Sequence, residues 1–354
     1  LRILYVMRGK RCRGSKINHF RISILRKVSK MTKSVVIAEK LNESGIEAQM
    51  YNAARAIGLE RDIKTARAVF IKPNLTYPSY RKGVTTRVEF VRSLVAVLKK
   101  LNAEIKIYIG EGDGGYNSYS MTNAFQDMGF MDLKDSFSNV EIINLSKAPS
   151  RTVVIGTHRG PYEIALPELF FSEIDFSISC PLPKVHCMTK ITLSYKNQWG
   201  CLPDVMRIKN HFMFDHIVSK VSDILKFKYA FLDGKYGLDN NGPMVGDPVE
   251  LNWFVAGNSL GAFDMIVSEM MGFDWQKVGH LKMARKYGFL PDREDIKIIG
   301  DIEGLKRKLV LKRNFWNYPA LVAFHSKKLT HLFYFSQWAK MLHDIMYMFR
   351  KRPT

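Results

Sequence analysis

The 354-residue sequence lacks most of the patterns that identify a protein class directly. It contains no run of about 18 apolar residues, so it predicts no membrane-spanning helix. It also contains no Walker A loop and no H-E-x-x-H metal motif. None of its four cysteines forms a C-x-x-C pair, which argues against a zinc ribbon or a ferredoxin-type cluster. The commonest motifs of zinc, iron–sulfur and P-loop chemistry are therefore absent.

Acidic residues are scarce at both ends of the chain. The net charge of +21 therefore comes from the two ends. Residues 1–34 hold 11 lysines and arginines and no acid, and residues 305–354 hold 11 with one acid, Asp344. The middle, 35–304, balances 32 basic against 32 acidic residues. Because a nucleic-acid binder carries its basic face on the folded module, nucleic acid is not an expected partner.

The same distribution divides the chain into three parts. We expect a basic N-terminal arm or extension, disordered, over 1–34 and an α/β domain over 35–304. A basic amphipathic tail follows over 305–354. Four cysteines in a chain of this length do not make a disulfide scaffold, so a reducing, cytoplasmic location is favoured. We interpret the cysteines as small buried side chains rather than ligands.

Short apolar segments alternate with amphipathic ones along the middle of the chain. This alternation predicts an α/β fold, a mostly parallel sheet with helices on both faces, and a C-terminal amphipathic helical tail. The segments 153–155 and 162–165 predict a hairpin. The predicted strands are 35–38, 68–71, 105–109, 140–145, 174–179, 229–232 and 253–256.

Polar or glycine-rich clusters follow one predicted strand after another. In open α/β sheets, ligands bind at the carboxyl ends of the strands, where such clusters meet. The sequence therefore predicts a site at this edge. The clusters are 72–74, 110–115, 184–200, 233–234 and 257–264.

The segment from Cys180 to Cys201 carries the richest chemistry. Its cations lie in an otherwise neutral body, so a bound anion explains them better than general basicity. His186 is the acid/base candidate, and a hydrogen-bonded structural histidine is the alternative. The polar residues concerned are Lys184, His186, Thr189, Lys190, Thr192, Lys196 and Asn197.

Two earlier clusters add to this prediction. Lys72 and Asn74 place a cation and an amide at a strand end, although a turn with a solvated lysine is the alternative. The loop 110–115 resembles a phosphate-binding loop. Its acids, Glu111 and Asp113, would instead suit binding of a divalent metal or a sugar-like hydroxyl, or the role of a general base. A glycine turn with solvated acids is the structural alternative.

These clusters, in this order, resemble the DUF362 family of α/β proteins, whose name records an unknown function. The resemblance covers about residues 35–290, and its most specific part runs from Lys184-x-His186 to Lys196-Asn197-x-x-Gly200. Many relatives are described as iron–sulfur proteins because they carry an appended ferredoxin-like domain. No such cysteine motif occurs here, so that redox label is not expected to transfer. The other matching residues are Ile71–Asn74, Gly110–Gly115, Pro183, Val185, Thr189, Thr192, Leu193, His211, Asp233, Gly234, Gly242, Pro243, Ala256, Gly257 and Asp264.

The tail segment 329–349 differs from the rest in its bulky aromatic and aliphatic residues, which lysines and arginines flank. A basic helix rich in Trp and Phe suits the surface of an anionic membrane. Packing on the core or on another subunit is the alternative.

Together these features lead to an enzyme hypothesis, with a small or lipid-linked anionic phosphate or carboxylate as substrate. The alternatives are a redox or cofactor-binding protein of iron–sulfur or flavin type, and a non-catalytic peripheral membrane module. The cofactor is undetermined, with a divalent metal as one candidate. The predicted catalytic residues are His186, Lys184 and Lys196. The predicted substrate-binding residues are Lys72, Asn74, Gly112, Gly114, Thr189, Thr192 and Asn197, and the predicted metal ligands are Glu111, Asp113 and Asp233.

Overall fold

A computed structural model describes residues 34–348, apart from the side chains of Tyr116, His343 and residues 345–348. The predicted N-terminal arm therefore lies outside the described residues, except for Ser34. The strands are β1 (Ser34–Lys40), β2 (Ala68–Pro73), β3 (Lys106–Glu111), β4 (Val140–Asn144), β5 (Ser150–Thr157), β6 (Gly160–Pro167), β7 (Phe176–Cys180), β8 (Lys184–His186), β9 (Lys190–Thr192), β10 (Phe227–Asp239), β11 (Asp247–Gly257) and β12 (Ile296–Gly300).

Helices connect most of these strands. The α-helices are α1 (Ile46–Ala56), α2 (Leu59–Ile63), α3 (Val88–Leu101), α4 (Met121–Asp127), α5 (Asp132–Ser136), α6 (Leu169–Ser172), α7 (Ser194–Asn197), α8 (Phe214–Ile224), α9 (Leu260–Met270), α10 (Gly279–Lys286), α11 (Ile302–Leu305), α12 (Asn317–His325), α13 (Lys327–Tyr334) and α14 (Ala339–Met348). The 3₁₀ turns are Gly115–Asn117, Gln198–Cys201, Arg207–Met213, Trp275–Lys277 and Arg293–Asp295.

The main sheet has the order β12-β1-β11-β10-β7-β2-β3-β4, and β8 and β9 extend it from β10. The pairs β10–β7, β7–β2, β2–β3, β3–β4 and β1–β12 are parallel. The predicted mostly parallel sheet is therefore confirmed. Two strands depart from it, because β11 runs antiparallel to both β1 and β10, and β9 runs antiparallel to β8. The predicted hairpin is also confirmed, as the antiparallel pair β5–β6.

The two faces of the sheet bury separate apolar cores. Alternate residues along a strand point to opposite faces, so Phe70 joins one core whereas Val69 and Ile71 join the other. The first core includes residues of α8, α9 and α10, and the second includes residues of α1, α3 and α4. Helices therefore cover both faces, as predicted.

The C-terminal part departs from the single amphipathic helix expected over 329–349. The chain forms α13 and α14 with a break at 335–338, and α12 precedes them. The segment between 304 and α12 stays in contact with the body. Leu309 is buried, Leu311 bridges to Asn240, and Arg313 Nε donates a hydrogen bond to the Cys187 carbonyl at 2.7 Å. Among residues 34–348, no helix is long and apolar enough to cross a bilayer.

Candidate functional site

A cavity of about 300 Å³ opens at the carboxyl ends of β2 and β3. It therefore lies at the sheet edge where the sequence predicted a site. Its wall combines residues of the loops after β2, β3 and β8 with residues of α7, of the 3₁₀ turn 207–213 and of α12. The lining residues are Asn74, Leu75, Thr76, Glu111, Gly112, Gly115, Ser118, Tyr119, His186, Met188, Thr189, Lys196, Asn197, Trp199, Gly200, Arg207, Ile208, His211, Phe214, Pro243, Met244 and Phe324.

Lys72 and Glu111 form a buried ion pair at the adjacent ends of β2 and β3. The Lys72 side chain is fully buried, and its ammonium donates to the Glu111 carboxylate and, at 2.7 Å, to the Pro73 carbonyl. Glu111 also accepts hydrogen bonds from the backbone N–H groups of Gly112 and Leu75, at 3.1 and 3.3 Å. The charge of Lys72 is therefore neutralised within the protein, and Lys72 itself does not line the cavity.

Gly200 allows the turn after α7 to lie against this ion pair. A Cβ atom at Gly200 would lie 1.9 Å from Glu111 Oε1, so a larger residue would displace either the turn or the carboxylate. The Gly112 N–H donates to the Gly200 carbonyl at 2.9 Å. Gly200 thus brings the segment that carries Lys196 close to the end of β3.

Three successive amides of the glycine loop 110–115, those of Gly112, Asp113 and Gly114, are bonded within the protein. Although Gly110, Gly112 and Gly115 satisfy the spacing G-x-G-x-x-G, the N–H of Gly114 donates to the Tyr119 carbonyl at 3.0 Å and that of Asp113 to Ser146 Oγ at 3.0 Å. The loop leads into a 3₁₀ turn of three residues rather than into a long helix. The geometry of a backbone phosphate cradle is therefore not present, and Gly114 does not line the cavity.

Lys184 is fully buried, and neutral groups accept all three of its donors. Its ammonium donates to Asn74 Oδ1 at 2.7 Å, to Thr76 Oγ1 at 2.9 Å and to the Val84 carbonyl at 2.8 Å. Burial, together with the charge of Lys196, holds the pKa of Lys184 well below its usual value. Lys184 lies behind the cavity wall and positions Asn74 and Thr76, which line it.

The three predicted metal ligands have separate partners. Asp113 accepts hydrogen bonds from the Met121 N–H and from Asn144 Nδ2, both at 2.7 Å. Asp233 is paired with Arg87, whose Nη2 lies 2.7 Å from its Oδ1. Glu111 is paired with Lys72. Within residues 34–348, no group of three or more His, Cys, Asp or Glu side chains has an arrangement suited to a metal ion.

His186 presents one defined ring nitrogen to the cavity. Its Nδ1 accepts hydrogen bonds from the backbone N–H groups of Met188 and Thr189, at 3.1 and 3.4 Å. Burial, with the nearby charges of Lys196 and Lys184, holds the pKa of His186 well below its usual value. A neutral imidazole that accepts at Nδ1 carries its proton on Nε2. His186 therefore offers an N–H donor to the cavity.

Lys196 differs from the two buried lysines because no side chain or carbonyl among the described residues accepts a hydrogen bond from its ammonium. The nitrogen lies 5.9 Å from the centre of the Phe214 ring. Burial lowers the pKa of Lys196 to about 8, and the neighbouring Cys187 and Glu111 oppose that shift. At neutral pH Lys196 is therefore a cation that faces the cavity without a direct counter-ion in the described chain.

The neutral residues predicted to bind substrate take different positions. Thr189 and Asn197 line the cavity. Asn197 Nδ2 donates to the Lys72 carbonyl at 2.9 Å and to Ser179 Oγ at 3.1 Å, so Asn197 ties α7 to the sheet. Thr192 is buried, does not line the cavity, and its hydroxyl has no hydrogen-bond partner in the described chain.

A buried carboxylate holds the start of α7, the helix that carries Lys196 and Asn197. Asp264, which is fully buried in α9, accepts hydrogen bonds from the Ser194 and Tyr195 N–H groups at 2.8 and 3.0 Å and from Ser194 Oγ at 2.6 Å. Burial raises the pKa of Asp264 to about 7. The Asp264 carboxylate thus satisfies the first N–H groups of α7 rather than those of its own helix.

Sequence reasoning missed Arg207 as a cavity residue. Arg207 is buried, and its guanidinium donates to the Asp113 carbonyl at 2.6 Å and, at 3.4 Å, to those of Leu202 and Asp204. These acceptors are neutral, and no carboxylate among the described residues forms an ion pair with Arg207. The cavity wall thus holds a second cation beside Lys196. No motif marks Arg207 in the sequence.

The structure places His211 in the cavity wall. Its ring centre lies 5.5 Å from that of Trp199 and 4.6 Å from that of Phe324. Burial, with the charge of Lys196, lowers its pKa to about 3. In the sequence, only the resemblance to the family pattern indicated that His211 belongs to the site.

The three described cysteines are buried and form no disulfide. Burial raises the pKa of Cys201 to about 12 and also raises that of Cys180, so both are protonated at neutral pH. Thiolates are the ligands of iron–sulfur clusters. With no metal-ligand grouping among residues 34–348, these cysteines do not fit a cluster.

Comparison with known sequences adds a family match to this geometry. The model described as "Domain of unknown function (DUF362)" matches residues 69–269. A thylakoid-associated protein of Synechocystis is 24% identical to this chain over 131 residues, which is 35% of this chain and 41% of that protein. The chain thus spans less than half of the length of this relative.

Two solved structures share a weaker likeness. The lactate racemase apoprotein from Thermoanaerobacterium thermosaccharolyticum has 13% identity and a TM-score of 0.40, covering 72% of this chain and 57% of its own. A protein from Thermotoga maritima has 10% identity and a TM-score of 0.35, covering 70% of this chain and 60% of its own. Likenesses at this level carry no argument about activity.

Proposed function

This chain belongs to the DUF362 family, and we propose that it is an enzyme whose cavity binds a small anionic substrate, a carboxylate or phosphate. One observation carries the proposal. Lys196 faces the cavity as a cation, and no described residue accepts a hydrogen bond from its ammonium. An unpaired charge in a partly enclosed site is costly unless a ligand compensates for it.

The rest of the wall supports the same ligand class. Arg207 adds a second cation whose described partners are carbonyl groups. His186 adds an N–H donor at Nε2. Trp199, Phe214 and Phe324 add apolar surface around these groups. A few polar groups that converge within an otherwise apolar pocket are typical of small-molecule sites.

The proposed chemistry is proton transfer next to the bound anion. Lys196, with a pKa of about 8, lies close enough to neutrality to exchange a proton during turnover. His186 is held neutral with its proton on Nε2, so it suits hydrogen bonding to a substrate oxygen. Lys196 therefore replaces His186 as the preferred acid/base, and His186 becomes the donor that orients the substrate.

A binding titration tests this proposal with inorganic phosphate and acetate as probes. Isothermal titration calorimetry compares the wild-type protein with Lys196→Met and with the matched control Lys190→Met, which alters a lysine of the same segment outside the cavity wall. A hydrogen bond to a charged group contributes about 1.5–3 kcal/mol. Lys196→Met should therefore weaken binding by roughly 10-fold to 100-fold, and Lys190→Met should leave it unchanged.

Two outcomes would overturn the proposal. One is that the wild-type protein binds neither probe. The other is that the folded Lys196→Met variant binds as tightly as the wild type does.

A metal-dependent version of the site is a weaker candidate, because Glu111, Asp113 and Asp233 each have another partner.

Association with a membrane surface is a second candidate property. The name of the thylakoid-associated relative supports it, at 24% identity over part of the chain. The aromatic and basic character of the C-terminal helices supports it independently. We propose that any such association is peripheral and acts together with the cavity, rather than replacing its function.

A further inference from the structure

Helix α12 exposes an apolar face to solvent. Phe315, Tyr318 and Val322 are 73, 57 and 59% exposed. Tyr318 and Val322 lie four residues apart in α12 and therefore on one side of it, and Phe315 lies in the turn that precedes this helix. A soluble surface carries scattered apolar residues, but an aligned set of large ones marks an interaction site.

The opposite side of α12 forms part of the cavity wall. Asn317 and Phe324 are buried, and the Phe324 ring centre lies 4.6 Å from that of His211 and 5.3 Å from that of Phe214. One short helix therefore contacts the cavity on one side and presents aromatic and aliphatic groups to solvent on the other.

The helices that follow α12 also expose large apolar residues and lysines. Leu332, Trp338 and Met341 are 39, 52 and 47% exposed. The lysines at 327, 328 and 340 are also exposed. Residues 305–354 contain 11 lysines and arginines against the single acid Asp344. The exposed positions of α12, α13 and α14 thus combine large apolar residues with lysines.

We infer that this surface, formed by α12, α13 and α14, docks on an anionic lipid bilayer. Tyrosine and tryptophan favour the headgroup region of a bilayer, and lysine is attracted to anionic headgroups. A second copy of this chain fits less well, because a two-fold interface would bring two basic surfaces together. The docking surface stands on its own residues and does not depend on the proposed anion site.

The docked orientation has one consequence, which does rest on the proposed function. It places α12 between the bilayer and the cavity. An amphiphilic substrate with an anionic headgroup would then reach Lys196 from the membrane side.

Vesicle flotation tests the docking surface. The probes are vesicles of phosphatidylcholine alone and of phosphatidylcholine mixed with phosphatidylglycerol. The wild-type protein should float with the anionic vesicles and dissociate from them at high salt. The double variant Tyr318→Asp with Val322→Asp should lose roughly tenfold or more in apparent affinity. The control, Tyr80→Asp, adds one negative charge, half that of the double variant, at a tyrosine that is 44% exposed, and it should have little effect.

Three results would overturn the inference. The first is a wild-type protein that floats with neither vesicle, and the second is a double variant that floats as well as the wild type. The third is an oligomer, detected by light scattering and abolished by the double variant, without any vesicle binding, which would assign the surface to protein contacts. Phosphate titration of each variant separates these outcomes from the cavity proposal, because a folded variant with an intact cavity should still bind phosphate.

Discussion

Lys184 and Lys196 lie on the same polar segment, and yet their surroundings differ. Lys184 is fully buried and donates to three neutral acceptors, whereas Lys196 lines the cavity and donates to none of the described residues. Lys72 resembles Lys184 because its ammonium also has partners within the protein, among them the Glu111 carboxylate. The comparison teaches that a lysine-rich segment can serve two purposes, with one part stabilising the strand ends and another facing the ligand.

The largest expected effect comes from breaking the interior pair. Lys72→Met leaves the Glu111 carboxylate buried without its cation, and removing one partner of a buried pair costs about 3–5 kcal/mol. Urea unfolding should show this loss. The double variant Lys72→Met with Glu111→Gln should recover part of it, because no uncompensated charge remains. An unchanged unfolding midpoint in Lys72→Met would show that the pair does not stabilise this edge.

Lys184→Met should have the next largest effect on stability. It leaves three buried acceptors, Asn74 Oδ1, Thr76 Oγ1 and the Val84 carbonyl, without their donor, and this cost of about 3 kcal/mol exceeds the gain from removing a lysine whose pKa burial has lowered. Lys209→Met, at a lysine whose side chain is 53% exposed, is the control and should cost little. If both variants unfold at the same urea concentration, Lys184 is not the interior support that its contacts indicate.

Lys196→Met should instead increase the stability of the protein. Burial lowers the pKa of Lys196 to about 8, below its unfolded value of 10.5, so folding disfavours the charged form. The unfolded chain binds more protons between these values, so this contribution makes wild-type stability rise as the pH increases from about 8 towards 10.5. At pH 7 the variant should gain on the order of 2 kcal/mol, since each pKa unit corresponds to about 1.4 kcal/mol.

Urea unfolding at several pH values measures this gain, and calorimetry measures the accompanying loss of phosphate binding. The account would be contradicted if Lys196→Met were less stable than the wild type at pH 7 and its stability depended on pH in the same way. That result would mean that Lys196 has a partner in the folded protein.

The smallest expected effect is on the pH dependence of anion binding. Sulfate is a suitable probe because its charge is constant near neutrality. If protonated Lys196 receives the anion, sulfate affinity should fall as the pH rises through about 8, approaching tenfold for each pH unit above it. A titration in Lys196→Met should be flat over this range. Wild-type affinity that is constant up to pH 10 would assign sulfate binding to Arg207 instead.

Much of the fold was predictable because strand and helix signals are local. The segment 68–71 is short, apolar and closed by Pro73, and it became β2. The gathering of 72–74, 110–115 and 184–200 at one edge followed from the parallel sheet. The antiparallel direction of β11 was not predictable, because it depends on pairing with β1 and β10, which are distant in the chain.

The candidate site was predictable in its residues but not in their partners. Lys72 and Glu111 are 39 positions apart, and Lys184 is 100 positions from its acceptor Val84. Sequence alone could not separate these satisfied lysines from Lys196, because the distinction depends on contacts formed only in the folded chain. Arg207 and Phe324 reach the cavity from distant segments for the same reason.

A crystal structure of the protein soaked in phosphate would test the central claim most directly. We predict a phosphate within hydrogen-bond distance, about 2.7–3.2 Å, of both Lys196 Nζ and His186 Nε2, with Lys72 still paired to Glu111. A cavity without phosphate, or a Lys196 ammonium paired with a carboxylate of the protein, would contradict the account.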